Sequence, residues 1–325
     1  MTDGAPPFTP PPFRPRFPWW GRHLQTIRNT IVKPAYPLPP GREMRFAMPD
    51  GGGDVLLARL NPPALAVSRP LAVLLHGLTG SEDSFYVRAT TRLLLDRGHP
   101  VLRLNLRGAG PSAVTCSRRY HAGRTGDVRA VLAALPVDLV ADGVIMVGWS
   151  LGGNCTLKFL GEGDFPVPVV AGAAISAPID LAASSRLFGS PPNRLYHRRL
   201  LGQMKADMQA NRSKVGDLWA DAALAAHDLW DFDDKVVAPW NGWADAPEYY
   251  RVNSALSFLP RIAVPTLVVH ALDDPWIPPA AYQDFRWSAN PWLSPALSRA
   301  GGHVGFHGVG GVWSDLCLAR FLDGL

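Results

Sequence analysis

The chain has 325 residues and 47% hydrophobic content, which is enough to bury a large core within one elaborated domain. Its net charge is +5, yet charged residues make up only 18% of the chain and form no dense Lys/Arg block. This composition argues against nucleic-acid binding and is compatible with a peripheral contact to anionic membrane surfaces. No feature of the sequence specifies an oligomeric state.

The cysteines and the first residues of the chain bear on its compartment. The 3 cysteines, at positions 116, 155 and 317, are an odd and widely spaced set, which argues against a disulfide framework. The Pro-rich start MTDGAPPFTPPPF lacks the apolar region of a signal peptide, and no apolar run reaches the roughly 18 residues of a spanning helix. We therefore expect a cytoplasmic protein.

The predicted elements begin with an arm and a hairpin. Residues 1–41 are rich in Pro, Arg and aromatic residues and are predicted to form an extended arm that packs on the body. Residues 43–60 are predicted to form a hairpin, because EMRFAM and DVLLARL are joined by the turn residues PDGGG. Strands and helices then alternate. The predicted strands are Leu71–Leu75, Val101–Asn105, Val144–Val147, Val169–Ser176 and Thr266–His270, and the predicted helices begin near Ser84, Thr125 and Asn154.

This alternation predicts an α/β fold, with a mostly parallel central sheet and helices on both faces. Residues 181–258 interrupt it with helical spacing over Leu195–Met208 and Val215–Trp230, followed by a Pro/Gly turn region. We predict that residues 42–180 and 259–325 form the core. The segment 181–258 is then a helical cap inserted above the C-terminal ends of the strands.

The segment VIMVGWSLGG, residues 144–153, predicts a sharp turn from a strand into a helix with Ser150 at its tip. In such a nucleophile elbow, Gly148 and Gly152 are needed because a Cβ at either position would collide with the neighbouring strand or helix. The peptide N–H of Leu151 stands at the helix N-terminus without an intrahelical partner, so it can donate to an oxyanion.

An acid and a histidine follow the serine in the order that this elbow requires. The strand at residues 266–270 leads into an acidic turn, in which Asp274 is the preferred acid and Asp273 is the alternative. His303 follows a Gly-Gly pair that can bring it back over the sheet edge, while His307 is the alternative histidine.

A second oxyanion donor is expected from the loop that follows the strand at residues 71–75. There the N–H of Leu78 can face the elbow. His76 in the same loop precedes the serine along the chain, and we expect it to have a structural role.

Several motifs together resemble those of one family. They are RHLQTI (22–27), HGLTGSEDSFY (76–86), NLRGAGPS (105–112), GWSLGG (148–153), DFDDKVVAPWNGWADAPEYY (231–250), ALDDPWIP (271–278) and GGHVGF (301–306). From residue 17 onward the chain resembles the YheT-like α/β-hydrolases, bacterial relatives of the eukaryotic embryogenesis-associated hydrolases. The resemblance implies an α/β-hydrolase fold, a serine carboxylesterase or lipase activity and no cofactor. It also implies that Ser150, Asp274 and His303 form the catalytic triad and that the arm folds onto the body.

Two groups of side chains, in the predicted cap and in the turn after the strand at residues 266–270, have alternative interpretations. The aspartates at 228, 231, 233 and 234 lack the Gly and Glu of a calcium loop, and we interpret them as capping and solvated residues rather than as a metal site. Aromatic residues either line an acyl pocket or pack in the core. They are Trp240, Trp243, Tyr249, Tyr250 and Trp276.

The sequence as a whole predicts a serine ester hydrolase that acts on a small acyl ester or a lipid. A lipase or phospholipase for longer acyl chains is the alternative within enzymes. A non-enzymatic binding protein that retains the fold is the alternative outside them.

Overall fold

The structure, a computed structural model, describes residues 8–65 and 68–325. Among these residues, eight strands build the central sheet. They are β1 (Arg42–Ala47), β2 (Val55–Asn61), β3 (Leu71–Leu75), β4 (Val101–Leu104), β5 (Val144–Trp149), β6 (Val169–Ile175), β7 (Thr266–Ala271) and β8 (Leu293–Ser298). Two short strands, β9 (His307–Gly308) and β10 (Gly311–Val312), pair separately.

The strand order across the sheet is β1-β2-β4-β3-β5-β6-β7-β8. The predicted hairpin β1–β2 is antiparallel, β2 pairs antiparallel with β4, and every later pairing is parallel. Strands β3, β5 and β7 are buried along their whole length, as expected for a parallel sheet covered on both faces. The carboxyl ends of β5 and β7 therefore meet at one edge of the sheet.

The helices cover both faces of the sheet and fill the long connection between β6 and β7. They are α1 (Arg22–Val32), α2 (Phe85–Asp96), α3 (Thr125–Ala133), α4 (Leu151–Glu162), α5 (Leu181–Phe188), α6 (Arg194–Ala210), α7 (Arg212–Val215), α8 (Asp217–Ala225), α9 (Leu229–Phe232), α10 (Ala238–Trp240), α11 (Ala246–Asn253), α12 (Ala280–Asp284) and α13 (Trp313–Leu322). A π-helical turn spans Asp233–Val237. Short 3₁₀ helices span Gly110–Val114, Val137–Val140, Pro191–Asn193, Ala255–Ser257, Leu259–Arg261 and Trp287–Ala289.

Two predicted elements differ from the structure. The extended arm is wrong for Arg22–Val32, which forms helix α1, and residues 1–7 of the arm lie outside the described residues. The predicted helix Val215–Trp230 is broken into α8 and α9, because Gly216 adopts φ 88° before α8 and Asp228 caps the start of α9. Everywhere else in the alternating part of the chain, the predicted strands and helices are confirmed to within a few residues.

The arm packs against the last helix, α13. Phe13 lies 5.6 Å from Trp313 between ring centroids, and Phe8 lies 5.9 Å from Phe321. The indole N–H of Trp313 donates to the backbone oxygen of Pro11 at 2.7 Å. The two ends of the described chain are thereby joined on one side of the sheet.

Candidate active site

Ser150 lies at a strained turn between β5 and α4. Its backbone adopts φ 51° and ψ −121°, a conformation that L-residues rarely take outside functional turns. A Cβ on Gly148 would overlap the carbonyl oxygen of Gly152, and a Cβ on Gly152 would overlap the carbonyl oxygen of Leu75 in β3. Both glycines are thus required by close backbone approaches, which is the reason given for them from the sequence.

His303 lies on the loop after β8 and contacts Ser150. Its Nε2 is 3.0 Å from Ser150 Oγ, and its Nδ1 is 2.8 Å from Asp274 Oδ2. A carboxylate can only accept, so Nδ1 carries the proton and Nε2 is the free base that faces the serine hydroxyl. The structure therefore brings Ser150, His303 and Asp274 into one chain of hydrogen bonds.

The two alternative residues lie outside this chain of hydrogen bonds. Asp273 Oδ1 instead accepts from the N–H of Gly302 at 2.9 Å. The N–H of His307 donates to Gln25 Oε1 at 2.7 Å, and burial lowers the pKa of the His307 imidazole to about 3. His307 is therefore a neutral, buried residue beneath the loop.

Asp274 is held by its own turn. The N–H of Trp276 donates to Asp274 Oδ1 at 2.8 Å, and that of Ile277 donates to the same oxygen at 3.2 Å. These two donors fix the carboxylate plane, which leaves Oδ2 directed at His303. The indole of Trp276 covers the imidazole of His303, with 4.2 Å between ring centroids.

The predicted oxyanion donors line the same cavity as Ser150. Within the described residues, the peptide N–H groups of Leu78 and Leu151 have no hydrogen-bond acceptor, and both residues border the cavity. The N–H on either side of Leu78 is occupied, because Gly77 donates to the hydroxyl of Tyr86 and Thr79 donates to the hydroxyl of Tyr120. The loop is thus held by its neighbouring peptides while the N–H of Leu78 stays free.

His76 stabilises this loop from inside. Its Nδ1 donates to the carbonyl oxygen of Gly77 at 2.7 Å, and its Nε2 accepts from the N–H of Leu106 at 3.1 Å. Burial lowers the pKa of His76 to about 4, so the ring stays neutral. Both ring nitrogens are occupied by the backbone, in agreement with a structural role.

The arm supplies a support that the sequence reasoning missed. Thr26 Oγ1 on α1 accepts from the backbone N–H of His303 at 2.9 Å, and Thr26, Ile27 and Thr30 border the cavity. His23 on the same helix reaches Tyr196 of α6, with 3.2 Å between Nδ1 and the hydroxyl oxygen. The motif RHLQTI was the only signal of this role.

The cavity beside Ser150 has a volume of about 640 Å³, within the range of small-molecule pockets. Much of its wall comes from the segment 181–258, through Leu200, Met204, Met208, Phe232, Val236 and Trp240. The aromatic residues divide between the two interpretations. Tyr249, Tyr250 and Trp276 also border the cavity, whereas Trp243 packs on His121 and Tyr249 at centroid distances of 5.0 and 5.1 Å.

The acidic residues of this segment are not all solvated. Asp228 caps α9 by accepting from the N–H of Asp231 at 2.7 Å, as expected for a capping residue. Asp233 is buried in the cavity wall, where it accepts from the hydroxyl of Tyr250 at 2.7 Å, so the prediction of a solvated side chain is wrong for Asp233. Burial raises the pKa of Asp233 to about 7. Among the described residues, no cluster of three or more His, Cys, Asp or Glu side chains could hold a metal ion.

Known proteins are similar to this chain in sequence and in fold. The family model of the α/β-hydrolase fold matches residues 70–307. The YheT protein of Escherichia coli is 34% identical over 289 residues, which cover 88% of this chain and 84% of that protein. This chain is a YheT-like α/β-hydrolase.

Another relative and a solved structure support the assignment of the chain to that family and fold. The YheT-like hydrolase is 28% identical to the monoacylglycerol lipase of Saccharomyces cerevisiae, over 78% of this chain and 59% of the yeast protein. The solved esterase Pf2001 of Pyrococcus furiosus superposes with a TM-score of 0.59 and 17% identity over 98% of both chains, which supports the fold alone. No helix in the described part of the YheT-like hydrolase is both long and apolar enough to span a bilayer.

Proposed function

We propose that this YheT-like hydrolase is a serine carboxylesterase that cleaves acyl esters through an acyl-enzyme on Ser150. The observation that carries the proposal is the chain of hydrogen bonds from Ser150 Oγ to His303 Nε2 and from His303 Nδ1 to Asp274 Oδ2, at 3.0 and 2.8 Å. Such a chain activates a serine hydroxyl, which is otherwise a weak nucleophile at neutral pH.

In the proposed mechanism, Ser150 Oγ attacks the carbonyl carbon of the ester while His303 Nε2 takes the hydroxyl proton. The N–H groups of Leu78 and Leu151 stabilise the oxyanion of the tetrahedral intermediate. His303 then gives its proton to the leaving alcohol, and the C–O bond to that alcohol breaks. Water, deprotonated by His303, attacks the acyl carbon of the acyl-enzyme. The bond between Ser150 Oγ and that carbon then breaks, His303 returns the proton to Oγ, and the acid leaves. Asp274 keeps the imidazole in the required tautomer and stabilises the imidazolium.

We further propose that the segment 181–258 acts as a cap that selects the substrate. It contributes most of the apolar wall of the cavity and no side chain to the proposed triad. The buried, unpaired cysteines at 116, 155 and 317 fit a reducing compartment, and we propose the cytoplasm as the site of action.

The second candidate is a lipase that acts on longer acyl chains. The size and the apolar wall of the cavity favour it, since a chain of several methylene groups would contact Met204, Met208 and Trp240. The relative from yeast is named a lipase, and that name supports a lipid substrate for this chain.

Labelling with a fluorophosphonate probe tests the proposal. We expect the wild-type protein to be labelled and Ser150→Ala to be unlabelled and inactive, with an unchanged circular dichroism spectrum. Ser185→Ala, at another serine of the same cavity, is the matched control and should still label. An unlabelled wild-type protein would favour a non-enzymatic binding role. A series of p-nitrophenyl esters from acetate to palmitate then separates the carboxylesterase from the lipase.

A further inference from the structure

Helix α1 of the arm has its polar and apolar sides reversed. A helix on the surface of a water-soluble domain normally buries its apolar face. In α1 the buried residues are Gln25 and Asn29, whereas Leu24, Ile31 and Val32 are exposed, Ile31 with 59% of its surface accessible. The outward side of this helix therefore exposes three apolar side chains, beside the polar Arg22 and Thr30.

The orientation of α1 is fixed by hydrogen bonds of its buried side. Gln25 Nε2 donates to the carbonyl oxygens of Trp19 and His307, at 2.6 and 3.2 Å. Gln25 Oε1 accepts from the N–H of His307 at 2.7 Å. Rotating the helix to bury Leu24 or Ile31 would break all three bonds and leave buried polar groups unpaired.

Two aromatic side chains extend the apolar surface before the helix begins. Phe17 is 72% exposed and Trp20 is 59% exposed. Their rings pack edge to face at 5.3 Å, so each ring keeps one side open to solvent. Tryptophan and phenylalanine next to basic residues are typical of segments that insert into the headgroup region of a bilayer.

The same segment is strongly basic. Residues 4–42 contain no Asp or Glu, and they hold six cations, against a net charge of +5 for the whole chain. Five of these cations are exposed, namely Arg14, Arg16, Arg22, Lys33 and Arg42. A concentrated positive charge of this kind attracts an anionic surface. It would repel a second copy of the same arm.

The apolar stripe leads to the cavity. Leu24, Ile27 and Ile31 follow one another at helical spacing, so they lie on one side of α1. Ile27 and Thr30 border the cavity that contains Ser150. A surface that contacts Leu24 and Ile31 would therefore lie beside the cavity wall.

We propose that this face of the arm docks on a bilayer that contains anionic phospholipids and presents the cavity to a lipid ester. The docking half of the inference rests on the reversed helix, the exposed aromatics and the charge of the arm. The delivery of a lipid ester rests in addition on the proposed function.

Vesicle co-sedimentation of the full chain tests the docking. We expect binding to vesicles of phosphatidylcholine with phosphatidylglycerol, weaker binding to phosphatidylcholine alone, and loss of binding as salt is raised. The double substitution Trp20→Ser with Ile31→Ser should weaken partitioning by about tenfold or more, because it removes two inserting side chains. The matched control is Leu195→Ser with Leu218→Ser, two side chains of the segment 181–258 that are 80% and 71% exposed.

Several outcomes would overturn the docking. They are a wild-type protein that does not bind anionic vesicles, an equal loss of vesicle binding in the two double variants, and equal binding to vesicles with and without phosphatidylglycerol. A dimer in solution that dissociates on Ile31→Ser would assign the face to a second copy instead.

A parallel activity assay separates this inference from the proposed function. The Trp20/Ile31 variant should hydrolyse a short p-nitrophenyl ester in solution like the wild type and should lose rate on an ester embedded in vesicles. Equal rates of the two proteins on the embedded ester would overturn the delivery half. If the wild type binds vesicles and hydrolyses no ester, the proposed function fails while the docking stands.

Discussion

Replacing Asp274 by Asn should nearly abolish hydrolysis, and the structure explains how. Asp274 Oδ1 accepts from the N–H groups of Trp276 and Ile277, so the oxygen of an asparagine side chain must take that position. The amide NH₂ then faces His303 Nδ1, where Oδ2 stood at 2.8 Å. To avoid two opposed donors, the imidazole must shift its proton to Nε2.

An imidazole with the proton on Nε2 cannot accept the hydroxyl proton of Ser150. The loss for this change in a serine triad is about ten-thousandfold in kcat, equivalent to about 5.5 kcal/mol of barrier. The assay is the turnover of p-nitrophenyl butyrate, with circular dichroism to establish that the variant folds. KM should change far less than kcat, because no wall of the cavity is altered.

Asp273→Asn is the matched control for this prediction. The asparagine oxygen can still accept from the N–H of Gly302. In the described part of the chain, Asp273 makes no hydrogen bond to the imidazole of His303. We expect the kcat of Asp273→Asn to stay within about threefold of the wild type, because the substitution keeps this hydrogen bond. A larger loss in Asp273→Asn than in Asp274→Asn would refute the reasoning and transfer the role to Asp273.

Three further predictions concern the cavity and its supports. Trp240→Ala should shift the preferred ester towards longer acyl chains while fluorophosphonate labelling persists, and a uniform loss over all chain lengths would show a purely structural role. Because the pKa of Asp233 is raised to about 7 in the folded chain, the unfolded chain loses this proton at a lower pH than the folded chain does. The free energy of unfolding should therefore fall as pH rises from about 4 to about 7. Asp233→Asn should therefore reduce the difference between the free energies of unfolding at acid and at neutral pH, which urea unfolding measures. The upper limit of this reduction is about 4 kcal/mol, for three pKa units. An unchanged difference would contradict the burial argument. Thr26→Val should lower kcat about tenfold by leaving the N–H of His303 unpaired, with KM nearly unchanged, and Thr26→Ser should restore it.

The elbow could be predicted because its constraint is local. Gly148, Ser150 and Gly152 lie within five residues, and the steric constraint on Gly148 comes from the helix that directly follows. The constraint on Gly152 comes instead from the neighbouring strand β3, but the motif that signals it is still local. The alternation of strands and helices is local in the same way, and it predicted the sheet.

Other features depend on contacts between distant parts of the chain. The sequence favoured Asp274 over Asp273 in the turn after β7, but the carboxylate that faces His303 is decided by the distant loop that brings the histidine back over the sheet. Asp233 is buried because Tyr250, 17 residues later, reaches it. Thr26 lies 277 residues before the residue that it supports. Neither hydrophobic periodicity nor composition reports such contacts.

The contact between the arm and the loop of His303 also sets an order of assembly. During synthesis, the arm is made before its partners at positions 303, 307 and 313, which follow it by 277 to 302 residues. The sheet can form while these partners are missing, since its eight strands end at Ser298. The arm therefore docks after the sheet can form, and the loop that carries His303 becomes fixed only once residues 303–313 have emerged. A chain interrupted before that point would hold Ser150 without His303, so an incomplete copy would lack the proposed general base.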